Sequence, residues 1–410
     1  MPLKLRQNAV WMMAGNAYYA ICQWLVLVVI ARLGGAADVG IFALALALCT
    51  PVMMFFNLGM RTLLASDVRE ENVLSDYLVF RATTAALGLI VCIGIALWYG
   101  EPALWVIVAI GASKTVETLA DFFYGLNQRG MRLDRIAKSL ILRGTLGTAS
   151  LAIVFYLTGS LPIATSCYAV SWIAVLILFD RRAARTPIAF DRATLGVSLR
   201  GFLGNGLPLG VTALFVNLSP NIPRYFLEQQ AGAEQLGIFS AMAYFITVGT
   251  VVVAAVGQSL VPVLARHYAD GNMAAFRSYS TRALLFAIGT GLAGVVLTLL
   301  IGRLVLELLY GPAFATHAAL FPLFAVAATV AYAGNVLGYV ISAAKIFVGQ
   351  APAFLISVIV SVVASYALIP SMGIKGAAYT LILTSASNCI VPLVLLMMNL
   401  AKRSARVVPL

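Results

Sequence analysis

The chain has 410 residues, 62% of them hydrophobic and only 10% charged. That leaves too few polar groups to cover a soluble domain of this size, so lipid must do part of the covering. Lysine and arginine outnumber aspartate and glutamate 27 to 15, a formal charge of +12 that an anionic cytoplasmic leaflet explains without a nucleic-acid partner.

A helix rises about 1.5 Å per residue, so roughly 20 apolar residues cross a hydrocarbon core about 30 Å thick. On that basis the sequence predicts twelve spans: 8–31, 39–62, 77–99, 102–126, 136–158, 161–179, 203–227, 236–265, 281–309, 314–344, 350–370 and 376–400. The expected fold class is an all-α polytopic membrane protein. Its cysteines, Cys22, Cys49, Cys92, Cys167 and Cys389, fall singly in apolar runs and read as small hydrophobes, not as disulfides or metal ligands.

Taken in chain order, span one carries Asn16, Tyr19 and Gln23 on one helical face. Such a stripe lines a hydrated cavity or hydrogen-bonds helix to helix. Arg32 and Arg61 bound the first hairpin, placed either to touch a phosphate or to reach lipid headgroups. Span four holds Lys114, Glu117 and Asp121 at i, i+3 and i+7, also on one face. A charge at mid-bilayer costs about 2.5–3.5 kcal/mol, so this face should look into protein or water. Two readings stand: a cation offered to an anionic substrate group with Asp121 as a reversible proton carrier, or a self-neutralising Lys–Glu pair that pins the helix.

Residues 181–202 form a basic segment, expected to be a cytoplasmic crossover between lobes 1–180 and 203–410. In span seven, Pro208, Pro220 and Pro223 stand near Asn217 and Asn221. Proline removes a backbone donor, which predicts a kinked or broken helix of the kind that borders transport paths. Arg224 and Glu228 follow at i, i+4 as a gate latch or an anchoring salt bridge. Span ten carries Tyr332, Asn335 and Tyr339. The isolated His267 and His317 read as solvated surface residues.

With the N-terminus inside, 22 of the 27 basic residues fall on the cytoplasmic side and only Arg32, Arg224, Arg303 and Lys375 near the outside. This places both termini in the cytoplasm. The chain also repeats itself at an offset of 197 residues: Gly34–Leu44 reads GGAADVGIFAL and Ala231–Ala241 reads AGAEQLGIFSA. Tyr99-Gly-Glu-Pro and Tyr310-Gly-Pro close the third span of each half. Two six-helix lobes of the same orientation are therefore expected, related by a pseudo-twofold axis along the membrane normal and suited to alternating access. No nucleotide loop or metal-spaced cluster is present in the sequence, so a transporter and not an enzyme is expected, with no cofactor beyond a coupling proton or sodium ion.

Four segments carry a family resemblance. They are ARLGGAADVGIFALALAL with NLGMR, NQRGMRLDRIAKSLILRG from Asn127, NIPRYFLEQQAGAEQLGIFSAMAYF from Asn221 and LYGPAFATHAALFPL from Leu309. Through them the chain resembles the bacterial oligosaccharide flippases, the O-antigen or polysaccharide-repeat-unit translocases of the multidrug/oligosaccharidyl-lipid/polysaccharide exporter superfamily. The resemblance implies transfer of an undecaprenyl-pyrophosphate-linked repeat unit from the cytoplasmic to the outer leaflet of the bacterial inner membrane. It also implies a basic central cavity; a monomer is expected, with a polysaccharide polymerase as a candidate partner. Lys114 fits that cavity by type and depth, and Arg32, Arg61 and Arg224 by type only. The alternatives are an ion-coupled multidrug exporter, which would use Glu117 and Asp121, and an integral-membrane glycan polymerase or ligase, against which the short outside loops argue.

Overall fold

The computed structural model describes residues 5–66, 74–184, 195–346 and 350–407, and its regular structure among these residues is entirely helical. The N-terminal part comprises α1 (Leu5–Asn57), α2 (Met60–Ser66), α3 (Leu74–Tyr99), α4 (Leu104–Arg129), α5 (Leu133–Thr158) and α6 (Leu161–Val175). A π-turn, Leu176–Asp180, continues α6 into the short α7 (Arg181–Ala184). Then come α8 (Leu195–Leu218), α9 (Ile222–Ala269), α10 (Met273–Tyr310), α11 (Pro312–Ala315), a 3₁₀ turn (Ala318–Leu320), α12 (Phe321–Ala343), α13 (Gln350–Met372) and α14 (Ile374–Val407). Part of the predicted crossover, residues 185–194, lies outside the described residues.

Ten helices among the described residues are long and apolar enough to cross a membrane. Helix α1 accounts for two of the predicted spans, because its backbone leaves helical geometry at Gly35 (φ 81°, ψ −168°). The packing shows that the chain reverses there. Before the break, Gly15 meets Ala137 and Cys22 meets Gly144, so the first half runs in the same direction as α5. After it, Cys49 reaches the Ile107 carbonyl and Asn57 reaches Asp121, so the second half runs with α4. Helices α4 and α5 are themselves antiparallel, joined by a tight turn at Gly130 with Tyr124 bonded to Ser139. Helix α4 is outside the apolar ten, yet it lies along the second half of α1 over a span's length.

Close approach depends on small residues. A β-carbon on Gly15 would fall 2.7 Å from the Ala137 backbone, and one on Gly257 would fall 2.2 Å from the Tyr339 ring. With lipid on the outside there is little hydrophobic drive between helices, so backbone proximity and dispersion carry the association. One buried side chain also acts as a clamp: Asn8 donates to the Met131 carbonyl and accepts from the Leu133 amide at 2.9 and 3.0 Å, holding the first turn of α5 against α1.

The chain forms two compact units, Met1–Asn217 and Leu218–Leu410. The division falls inside the predicted span 203–227, not in the 181–202 crossover. Helix α8 packs with the first unit, where Phe202 stacks on Tyr77 and Phe80 and Gly210 meets the Phe55 carbonyl. The predicted break in span seven lies at residues 219–221, between α8 and α9, where Pro220 and Pro223 cluster.

Within the second unit the helices repeat the design of the first. Helix α9 leaves helical geometry at Gly232 (φ 80°, ψ 176°), the residue 197 positions after Gly35 and in nearly the same conformation. Beyond the break, Ile246 meets Tyr332 and Gly257 meets Tyr339, so α9 runs parallel to α12 as the second half of α1 runs parallel to α4. Gly100 and Gly311, which follow Tyr99 and Tyr310, both take positive φ. The sequence repeat is a repeat of backbone breaks.

Candidate functional site

The described structure concentrates its buried charge in the first unit, along the polar face of α4. Lys114 Nζ donates to Glu117 Oε2 at 2.8 Å, so the Lys–Glu pairing foreseen as one alternative is formed. Asp121 is not the lone acid that the spacing suggested. Its Oδ2 accepts from Asn57 Nδ2 at 2.9 Å and from Arg81 Nη2 at 3.1 Å, while Arg61 Nη1 stands 3.7 Å from Oδ1. Two guanidiniums and an amide thus surround this carboxylate, each reaching it from another helix.

Arg81 holds this knot together and is 1% exposed. Its Nη1 donates to the carbonyl of Asn57, the last residue of α1, and its Nε to the Thr118 carbonyl. A helix end leaves carbonyls without partners and carries a partial negative charge, so a buried cation there is well placed. The turn that ends α1 passes through Leu58 and Gly59, both at positive φ, and delivers Arg61 to the same cluster. Arg61 is 28% exposed, donates Nε to Gln128 Oε1 at 3.2 Å and lies 5.5 Å from the Tyr124 ring centre.

A further ion pair continues the seam. Arg143 of α5 donates to Asp180 Oδ2 at 3.0 Å, and both side chains are at most 2% exposed. The Arg143 guanidinium lies 5.0 Å from the Trp172 ring centre and 5.7 Å from that of Tyr124, whose hydroxyl shares a hydrogen bond with Ser139. Asp180 ends the π-turn. The extra residue in such a turn rotates the rest of the helix about its axis.

From span one, Gln23 donates to Tyr19 at 2.7 Å and accepts from Tyr168 at 3.1 Å, linking α1 to α6, whereas Asn16 is exposed. Arg32, near the end of the first half of α1, is exposed as well.

The second unit does not gather its candidates into a comparable cluster. Arg224 donates to Asn221 Oδ1 at 2.8 Å, and the expected pairing of Arg224 with Glu228 does not form. The Arg224 side chain turns back toward the start of its helix instead. Asn217, in the first unit, bonds to the Ala213 carbonyl of its own helix. Tyr332 and Tyr339 fill the α9–α12 contact at Gly249 and Gly257, with the Tyr332 hydroxyl on the Ile246 carbonyl, while Asn335 is exposed. Hence only part of the span-ten stripe faces its neighbour.

Sequence reasoning missed Arg81, Arg143 and Asp180 as site residues. Both arginines lie inside predicted spans, and each is 1% exposed in the structure. The seam therefore holds four cations, Arg61, Arg81, Lys114 and Arg143, against three carboxylates, Glu117, Asp121 and Asp180, and every one of those carboxylates already faces a cation.

Residues 5–267 match the profile of a family described as polysaccharide biosynthesis protein. The capsular polysaccharide biosynthesis protein CapF of Staphylococcus aureus is 24% identical over 380 residues, covering 92% of this chain and 95% of that protein. Among solved structures, an inward-facing multidrug resistance MATE family transporter of the MOP superfamily superposes with a TM-score of 0.71 at 15% identity, covering 100% of this chain and 97% of the other. The lipid II flippase MurJ in an inward closed conformation superposes with a TM-score of 0.74 at 10% identity, covering 96% and 87%.

Proposed function

Because the chain belongs to the polysaccharide biosynthesis protein family, we propose that this multi-pass membrane protein flips a lipid-linked oligosaccharide from the cytoplasmic to the outer leaflet by alternating access. The headgroup is an oligosaccharide on a polyprenyl pyrophosphate, the membrane is the bacterial inner membrane, and both termini face the cytoplasm.

One observation carries the reading: the seam of the first unit has more cations than carboxylates, and Arg61 beside Asp121 stays partly accessible. A pyrophosphate cannot cross hydrocarbon with its charge unpaired. Lys114 and Arg61 can meet it with charge-assisted hydrogen bonds, and the Asn, Gln and Tyr side chains of α1 can take sugar hydroxyls. The same observation disfavours a drug exporter, because Glu117 and Asp121, the acids it would use for an organic cation, are already paired.

The test is outer-leaflet appearance of a lipid-linked oligosaccharide in proteoliposomes. Transport should require the sugar-diphosphate headgroup and fall by roughly tenfold to a hundredfold in Lys114→Ala, as expected for losing one charged hydrogen bond. Absence of lipid movement, with gradient-driven efflux of an organic cation that fails in Asp121→Asn, would replace this reading with the exporter.

A further inference from the structure

Away from the buried seam, the first turns of α5 and the π-turn with α7 line an open, groove-like cavity of about 360 Å³. Arg132, Arg135, Lys138 and Arg182 line it against one carboxylate, Asp134. That carboxylate is committed, since Arg132 donates to both of its oxygens at 2.8 and 2.9 Å. Arg135 donates to the Ala183 carbonyl and ties α5 to α7. Lys138 and Arg182 are exposed and make no ion pair with any described residue. The cavity thus carries four cations to one anion, and two of the cations make no ion pair among the described residues.

The rest of its wall is apolar. Leu178 and Phe179 of the π-turn line it, and Leu178 is 58% exposed. From there Ile177 of the π-turn, then Ile173 and Val170 of α6, continue at spacings of four and three residues, all exposed. They form one apolar face that leads away from the cavity. Lys138 Nζ lies 5.6 Å from the ring centre of Trp11, a residue type that collects at the membrane–water boundary.

We infer that this cavity binds the phosphate-bearing headgroup of an anionic phospholipid, with an acyl chain laid along Ile177, Ile173 and Val170. A small soluble anion would need the cations but not the apolar face. Basic pockets between transmembrane helices on the cytoplasmic side are suited to such headgroups. The site is separate from the seam, and the inference does not depend on which molecule the protein transports.

The experiment titrates the purified full chain in detergent with phosphatidylglycerol and counts bound lipid by native mass spectrometry. Lys138→Ala/Arg182→Ala should weaken binding by about tenfold or more, two near-surface cations being removed. Lys138→Arg/Arg182→Lys should retain it, and phosphatidylcholine should bind both forms weakly and equally. Unchanged phosphatidylglycerol affinity in the alanine pair would overturn the site. Equal affinity for soluble glycerol phosphate would overturn the lipid assignment and leave a plain anion pocket. Both residues are exposed, so the substitutions leave the packed interior alone; Lys138→Gln, expected to lose several-fold, provides a second reading if the double variant is unstable.

Discussion

Single side chains decide where charge can be stored in this protein. Arg143 and Asp180 are nearly inaccessible, and taking either ion out of water is favourable only because the other is present. Arg143→Met should therefore lower stability by about 3–5 kcal/mol, read as a fall in the unfolding midpoint in detergent, because it leaves Asp180 charged and unpaired. Adding Asp180→Leu should recover most of that loss, since an apolar pair of similar size avoids the desolvation cost. A midpoint no higher in the double variant than in the single would show that the pair stabilises by more than mutual compensation. The Lys114–Glu117 pair was readable from its i, i+3 spacing alone, because both partners share one helix. Arg81–Asp121 and Arg143–Asp180 were not readable, because each joins two helices, and a span-by-span count sees an arginine inside a helix only as a contribution to orientation.

At the scale of elements, two glycines do similar work in similar places. Gly35 and Gly232 adopt φ near +80° with extended ψ, a region that only glycine occupies at low cost, and a β-carbon at either would meet no other atom. Gly35→Ala and Gly232→Ala should each cost about 1–3 kcal/mol through backbone strain alone, measured by thermal unfolding. A negligible effect at both would mean that the helices continue through these positions in the membrane. Gly257 raises the opposite issue. Its Cβ position is occupied by the Tyr339 ring, so Gly257→Ala should destabilise by about 1–3 kcal/mol through overpacking. Combining it with Tyr339→Leu should relieve the collision, and the same thermal assay would show whether it does. The GIF-containing repeat marked the place of the first kind from the sequence, since both copies fall where one span ends and the next begins, but not the glycine conformation itself. The second kind was invisible, because it depends on which tyrosine lies across the interface.

At the scale of the molecule, the distribution of basic residues predicts an orientation that can be measured. A cytoplasm-dependent reporter fused after residue 410 should be active, and a cysteine replacing Lys375 should label with a membrane-impermeant thiol reagent in intact cells in which the five native cysteines have been replaced. Labelling only after permeabilisation would invert the topology and with it the direction of the proposed transport. What the sequence determined by itself was local and additive: the length and apolarity of the spans, the asymmetry of charge between them, the proline-marked break near residue 220 and the 197-residue repeat, each of which acts within one segment and can be counted along the chain. What only the tertiary structure decided was which charges meet. The seam partners that join helices, Arg143–Asp180, Arg81–Asp121 and Asn57–Asp121, lie 37–64 residues apart. Their pairing depends on helix rotation, on the reversal at Gly35 and on the π-turn before Asp180, none of which is a property of any one segment.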